Sequence, residues 1–236
     1  MRFREKLVAT LRAVGPLFEE DGVLVVGSEV PNLLEPDAAS TLVVSQAVDL
    51  GIDVRHHAQI KLRLRELVGF APSPAEPSVW IPTQPGMLEV NFVGIDSSLA
   101  DPTDAYPFED DLLPLLVFGG LSFTLPPKWG IVDGLRIPTS NPGGLLLEKL
   151  LTERTGEKGD RDLLVVVGLL HTTTAAELDD FVSLFLGLTR EHQASVRSNL
   201  TLTSLMPGLP GMPDPGSMRE RVARLLERLN AGGGHA

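Results

Sequence analysis

Cysteine is absent from this chain of 236 residues, and that absence excludes several kinds of site at once. There is no disulfide, no thiolate-ligated metal and no cysteine nucleophile. Basic residues are also scarce, with 20 lysines and arginines against 31 aspartates and glutamates, which excludes non-specific nucleic-acid binding through bulk charge. The longest apolar run, 112–125, is too short for a membrane span and contains Pro114. With no targeting segment in the sequence, we expect a cytoplasmic protein with no membrane partner.

Apolar residues make up 43% of the chain, which is enough for a folded core, while 23 glycines and 19 prolines divide the chain by many turns. The apolar run 23–26 predicts a central strand that is buried on both faces. Strict alternation over 48–54 predicts a second strand, with Asp49 and Asp53 on its polar face. The two strands are therefore predicted to form the centre of a sheet.

The remaining patterns define the predicted architecture. Helices are predicted over 2–20 (interrupted at Gly15-Pro16), 57–68, 145–153, 161–170, 175–187 and 217–229. Further strands are predicted over 79–81, 87–93, 115–118, 121–125 and 131–137, and a solvated acidic loop over 96–111. This order predicts an α+β fold, in which a mixed sheet with flanking helices is followed by a helical C-terminal part. We divide the chain into an α/β core (1–138), a helical part packed on it (139–205), a Pro/Gly linker (206–216) and a C-terminal helix with its tail (217–236).

The first candidate site is Gly27-Ser28, directly after the buried strand and before a short helix. A glycine permits close approach of the backbone to a ligand, and a serine hydroxyl with helix-start N–H groups can hold a phosphate. A tight turn from strand to helix explains the same residues without any ligand. The pattern alone leaves both interpretations open.

The second candidate site combines Asp49 with Glu89 and Asn91, which share one face of the strand over 87–93. Carboxylate oxygens are the ligands that Mg²⁺ prefers, so these residues are candidate metal ligands, and Asp49 and Glu89 are candidate catalytic acids. A surface carboxylate is the alternative for Asp49. The third candidate is Lys149, in the apolar stretch 145–151, where a lysine either snorkels from a buried helix or faces a cleft and meets phosphate.

In their order along the chain these three sites resemble the nucleotidyltransferase superfamily, which has a polymerase-beta-like fold, and most closely its bacterial abortive-infection toxin type. The family has Gly-Gly or Gly-Ser after the first strand, then T-x-D-x-D, a third acid on a later strand, and a helix with a lysine. The matching segments here are 25–28, 45–52, 88–93, 142–150 and 158–163. The resemblance covers about residues 5–170 and implies a nucleotide partner and a toxin–antitoxin role.

The chemistry that the resemblance implies depends on where this sequence departs from the family pattern. It implies that Gly27 and Ser28 cradle a nucleoside triphosphate, that Lys149 contacts phosphate and that Asp49 holds Mg²⁺. The first and third catalytic carboxylates of the family fall on Ala47 and Asn91. Glu89 is then a candidate replacement acid, since it shares a strand face with Asn91 and has a longer reach.

Two functions follow. In the first, the chain is a nucleotidyltransferase-like protein with reduced or lost Mg²⁺-dependent transfer, which acts by binding a nucleotide or a protein partner. In the second, it is an active nucleotidyltransferase that moves a nucleoside monophosphate to a hydroxyl of a protein, an RNA or a small molecule. The missing carboxylates favour the first, because a two-metal mechanism needs several carboxylates to hold its ions.

Overall fold

The computed structural model describes residues 3–34, 47–151, 157–208 and 214–232. Their strands are β1 (Val23–Val26), β2 (Ala47–Asp53), β3 (Phe70–Pro72), β4 (Val79–Pro82), β5 (Glu89–Ile95), β6 (Ala105–Phe108), β7 (Leu115–Phe118), β8 (Lys128–Val132) and β9 (Leu135–Thr139). Their α-helices are α1 (Phe3–Ala13), α2 (Glu29–Leu34), α3 (His57–Leu64), α4 (Pro142–Leu151), α5 (Glu157–Thr172), α6 (Ala175–Leu186), α7 (Arg190–Leu205) and α8 (Pro215–Gly232). The predicted fold class, a mixed sheet with flanking helices and a helical C-terminal part, is confirmed.

The described strands form one mixed sheet, whose main path runs β3-β4-β5-β2-β1-β9-β8. Strand β1 is antiparallel to β2 and parallel to β9, while β2 is parallel to β5. The other edge of β5 is shared, because β4 pairs with its first half and β7 with its second half. Strands β1, β2 and β5 therefore lie side by side in the interior of the sheet.

The two faces of β2 have different surroundings, as its alternation predicts. Val48, Leu50 and Ile52 are fully buried in the main core together with the apolar residues of α1. Because side chains alternate along a strand, Asp49 lies on the opposite face. Val26 of β1 stands opposite Asp49 in the register and belongs to a smaller apolar cluster on that second face. The second face is the one that carries the candidate site.

Helix α4 is the centre of the helical part, and every one of its residues except Lys149 is buried. Two glycines allow its first turn to approach its neighbours closely. A Cβ at Gly143 would lie 2.2 Å from the carbonyl oxygen of Glu177, and one at Gly144 would lie 1.8 Å from that of Phe123. The start of α4 is therefore held against α6 and against the segment that follows β7.

Helix α8 packs on α5, α6 and α7 of its own chain. The Nη1 atom of Arg221 donates to the carbonyl oxygen of Leu170 at 2.6 Å, and Arg228 pairs with Asp179 at 2.5 Å. Five residues of the predicted linker, 209–213, lie outside the described part of the chain. Within the described ranges, no helix is both long enough and apolar enough to span a membrane.

Two strand predictions are wrong, and two strands, β3 and β6, have no counterpart among the predictions. Gly119–Thr124 form a 3-10 helix instead of a strand over 121–125, and the Thr124 hydroxyl donates to the carbonyl oxygen of Leu121 at 2.6 Å. The run 131–137 is the β8–β9 hairpin, whose turn has positive φ at Asp133 (+46°) and Gly134 (+80°). Strand β6 lies within the predicted acidic loop, where Pro107 and the surrounding carboxylates hide its pattern.

Candidate functional site

A cavity of about 370 Å³ opens on the second face of the sheet, between the strands and the helices α4 and α5. Its lining includes five of the six residues that the sequence analysis selected, which are Gly27, Ser28, Asp49, Asn91 and Lys149. The volume is within the range of about 300–1,000 Å³ that is typical of ligand pockets. Residues that are distant in sequence therefore converge on one concave surface.

The turn after β1 brings its backbone against the Asp49 carboxylate. Gly27 has a φ of +79°, and a Cβ placed on it would lie only 2.6 Å from Asp49 Oδ2. Glycine is thus required twice, for the left-handed backbone conformation and for the close approach. Ser28 is the next residue in the turn, and its hydroxyl donates a hydrogen bond to Glu29 Oε1 at 3.5 Å. The Gly-Ser turn therefore faces Asp49.

Asp49 and Asn91 are direct neighbours across the parallel pair β2–β5. The amide Nδ2 of Asn91 donates to Asp49 Oδ1 at 3.0 Å, so the amide holds the carboxylate in place. Two residues earlier on the same face, Ala47 stands opposite Glu89 in the register. The alanine methyl group offers no oxygen for a metal ion.

Of the residues selected from the sequence, Asp49 is the one carboxylate that lines the cavity. Among the described residues, no group of three or more histidines, aspartates or glutamates is placed to hold a metal ion. Mg²⁺ commonly uses one or two protein carboxylates, with substrate phosphates and water completing its coordination, and Asp49 can supply one such ligand. A pair of ions about 3.5–4 Å apart needs further carboxylates that Ala47 and Asn91 do not provide.

Glu89 does not line the cavity, although it shares the face of β5 with Asn91. It precedes Asn91 by two residues, which is about 7 Å along a strand. The lining of the cavity continues from Asn91 towards the end of β5 instead, through Phe92 and Val93. The structure therefore does not bring Glu89 together with the other selected residues.

Lys149 faces the cavity, and its ammonium group is already surrounded by carboxylates. Its Nζ lies 3.1 Å from Glu148 Oε2 and 3.6 Å from Asp162 Oδ1, and its side chain is 7% exposed. Of the two alternatives left open for Lys149, the position in a cleft is the observed one. The nearby carboxylates neutralise part of the charge that it can offer to a phosphate.

The sequence did not identify four polar residues of the lining, which are Glu76, Ser78, Glu148 and Asp162. Asp162 stands in the segment 158–163, which the family resemblance had singled out, and Glu148 is the neighbour of Lys149. The family resemblance over 158–163 and the position next to Lys149 could therefore have identified Asp162 and Glu148 from the sequence. Glu76 and Ser78 precede β4 in a proline-rich stretch, and no pattern in the sequence connects that stretch with the site.

The described lining has a strongly acidic balance. Asp49, Glu76, Glu148 and Asp162 contribute four carboxylates, and Lys149 contributes one ammonium group. A concave surface of this sign concentrates cations and repels anions that lack a counter-ion. The site therefore favours a ligand that carries or recruits a cation.

The sequence matches no family model and no curated protein. Among solved structures, the chain is similar to an antigenic nucleotidyltransferase-like protein from Paracoccidioides brasiliensis, with 14% identity and a TM-score of 0.41 over 83% of this chain and 92% of that one. It is also similar to JHP933 from Helicobacter pylori, with 12% identity and a TM-score of 0.42 over 98% of this chain and 95% of that one. Neither similarity assigns a role to a residue of the cavity.

Proposed function

We propose that the protein binds a nucleoside triphosphate together with one divalent cation in this cavity, and that its capacity for nucleotidyl transfer is reduced or lost. The observation that carries the proposal is the Gly27 turn in contact with Asp49, beside an alanine at position 47. The protein then acts as a nucleotide-binding or regulatory protein.

Nucleotide binding is supported by the groups that meet at the turn. Gly27 and Ser28 present a backbone and a hydroxyl where a phosphate chain can approach closely, and the Asp49 carboxylate lies beside them. The acidic lining opposes a free triphosphate, so we expect binding to require a divalent metal ion, which Asp49 would help to hold. When bound, this ion would supply charge neutralisation for the phosphates.

Weak transfer is supported by what surrounds Asp49. Nucleotidyl transfer with two metal ions needs carboxylates that hold both ions and help to activate the attacking hydroxyl. The Asn91 amide donates a hydrogen bond to one oxygen of the Asp49 carboxylate, while Ala47 contributes no metal ligand. One carboxylate held in this way can anchor a nucleotide without assembling the second ion.

Binding is tested by calorimetric titration of ATP into the wild-type protein, with and without Mg²⁺. We expect saturable binding that depends on Mg²⁺ and is weakened at least tenfold by Asp49→Ala. Glu89→Gln serves as the matched control, because it changes a nearby acid on the same sheet face but outside the cavity lining. Binding of equal affinity in wild type and Asp49→Ala would contradict the proposal.

Loss of transfer is tested by restoring the carboxylates. In the Ala47→Asp/Asn91→Asp variant, one new acid lies two residues from Asp49 on its own strand face, and the other stands directly opposite it. With labelled ATP and Mn²⁺, we expect little or no transfer by the wild type and a measurable gain in the double variant. Robust metal-dependent transfer by the wild type that disappears in Asp49→Ala would instead establish the second function, an active nucleotidyltransferase.

A further inference from the structure

A second cavity, of about 360 Å³, lies beside the cavity that contains Asp49. Its walls are the loop before β6, the 3-10 helix after β7, the end of α4 and the first turns of α7. Phe118 and Glu148 line both cavities, so these two side chains lie between them. The volume is again within the range of about 300–1,000 Å³ that is typical of ligand pockets. A ligand in the second cavity would therefore touch the wall of the first.

The described lining of the second cavity contains acids and apolar groups but no lysine or arginine. Asp104, Glu148 and Glu191 supply three carboxylates, while Phe118 and Leu151 supply apolar surface. Carboxylates accept charge-assisted hydrogen bonds from an ammonium or guanidinium group, and the face of an aromatic ring attracts the same cations. The apolar surface fits a hydrocarbon chain that carries such a group. A bare metal ion fits less well, since the part of the chain that the structure describes places no three acids or histidines to hold one.

His192, which also lines the second cavity, indicates independently that a hydrogen-bond donor belongs there. Its Nε2 atom faces Asp101 Oδ1 at 3.6 Å, which favours the proton on Nε2 and leaves the lone pair on Nδ1. Nδ1 is buried and has no hydrogen-bond partner among the described residues. Buried polar atoms are nearly always hydrogen-bonded, so this nitrogen is an exception that needs a cause. A cation with N–H groups would supply the missing donor.

Glu148 connects the second cavity with the first. Its side chain is 3% exposed, and its Oε2 atom lies 3.1 Å from Nζ of Lys149, which lines the first cavity. A cation in the second cavity attracts the Glu148 carboxylate and weakens its hold on Lys149, so more of the lysine charge is available to a phosphate. The same cation offsets part of the acidic lining that opposes a triphosphate. The two ligands should therefore strengthen each other's binding, by the same factor in both directions.

We propose that the second cavity binds an organic cation, namely an ammonium or guanidinium group on a short hydrocarbon chain, and that this cation strengthens the binding of Mg²⁺–nucleotide through Glu148. Cation binding needs only the second cavity, whereas the coupling rests on the proposed function. Nucleotide binding then responds to the concentration of the cation.

Cation binding is tested by calorimetric titration of agmatine, which carries a guanidinium and an ammonium group, into the full chain without nucleotide. We expect saturable binding that Asp104→Asn/Glu191→Gln weakens by at least about tenfold, because these exposed acids line the second cavity and not the first. Glu109→Gln/Asp111→Asn is the matched control, since it removes the same charge from two exposed acids outside both linings, and it should leave the affinity unchanged. Absence of saturable binding, or equal weakening by both double variants, would overturn the proposal.

Coupling is tested by titration of Mg²⁺–ATP with and without saturating agmatine. We expect agmatine to tighten Mg²⁺–ATP binding by at least about fivefold in the wild type, and Glu148→Gln to remove this gain. Asp104→Asn/Glu191→Gln should keep the basal affinity for Mg²⁺–ATP and lose the gain. An affinity for Mg²⁺–ATP that agmatine leaves unchanged in the wild type would overturn the coupling. If agmatine binds as expected while no nucleotide binds, the proposed function fails and the cation site stands.

Discussion

Replacing Gly27 by alanine perturbs the contact that positions Asp49, and the structure gives the size of the effect. The φ of +79° lies in the left-handed region, which costs an alanine about 1–2 kcal/mol. The new Cβ would also stand 2.6 Å from Asp49 Oδ2, well inside van der Waals contact. Overpacking of this kind adds about 1–3 kcal/mol. We therefore expect Gly27→Ala to lower the free energy of unfolding by about 2–5 kcal/mol.

Gly134 provides a control with the same backbone conformation. Its φ is +80°, and no heavy atom of the described residues lies within 4 Å of its hypothetical Cβ. Gly134→Ala therefore has the conformational cost alone, about 1–2 kcal/mol. The difference between the two variants measures the contact with Asp49.

Urea unfolding at pH 7 supplies both values, provided that the denaturant slope is unchanged between variants. Repeating Gly27→Ala in the Asp49→Ala background completes a double-mutant cycle. Without the carboxylate oxygens, the nearest atom left at position 49 is its Cβ, 3.4 Å away, so most of the excess cost should vanish. Costs of Gly27→Ala and Gly134→Ala that agree within about 0.5 kcal/mol would refute the reasoning.

Two further substitutions test the charged groups. Lys149→Met removes the ammonium group that lies 3.1 Å from Glu148 and 3.6 Å from Asp162. We expect this substitution to lower the free energy of unfolding by about 3 kcal/mol and to weaken Mg²⁺–ATP binding measured by calorimetry. Wild-type values of both quantities would contradict the assignment of Lys149 to the cavity. Burial opposes ionisation of Asp110, but hydrogen bonds from Lys61 and from the backbone outweigh it and lower the pKa of this carboxyl far below its usual value. A carboxyl with a lowered pKa in the folded state contributes stability above the unfolded-state pKa of about 4, and this stability is lost as the pH falls. Asp110→Asn should therefore lower the free energy of unfolding by about 1–3 kcal/mol at pH 7 and by less at pH 3. A loss of stability that is the same at both pH values would contradict a role for the ionised Asp110.

The centre of the fold could be predicted because its signals are local. The all-apolar run of β1 and the alternation of β2 are each complete within a few residues, and they fix which side chains face the main core. The same alternation assigned Asp49 to the other face, and the chain order placed Gly27 at the end of the neighbouring strand. These short-range patterns were sufficient to bring the turn and the carboxylate together.

The extent of the cavity could not be predicted, because it depends on how distant elements pack. Glu89 and Asn91 share a strand face, yet only Asn91 lies where α4 and α5 close over the sheet. Glu76 enters the lining through the pairing of β4 with β5, which local sequence does not reveal. Similarly, the hairpin turn after β8 rests on a positive φ at Asp133, a conformation that an aspartate adopts only in some contexts.

The proposed binding of one divalent cation is tested most directly by the number of divalent cations that one chain binds together with a nucleotide. Electron paramagnetic resonance of free Mn²⁺, measured with a non-hydrolysable ATP analogue at saturation, counts the ions that the protein removes from solution. We expect one ion per chain in the wild type and its loss in Asp49→Ala. Two ions per chain, or one ion that Asp49→Ala leaves in place, would contradict it.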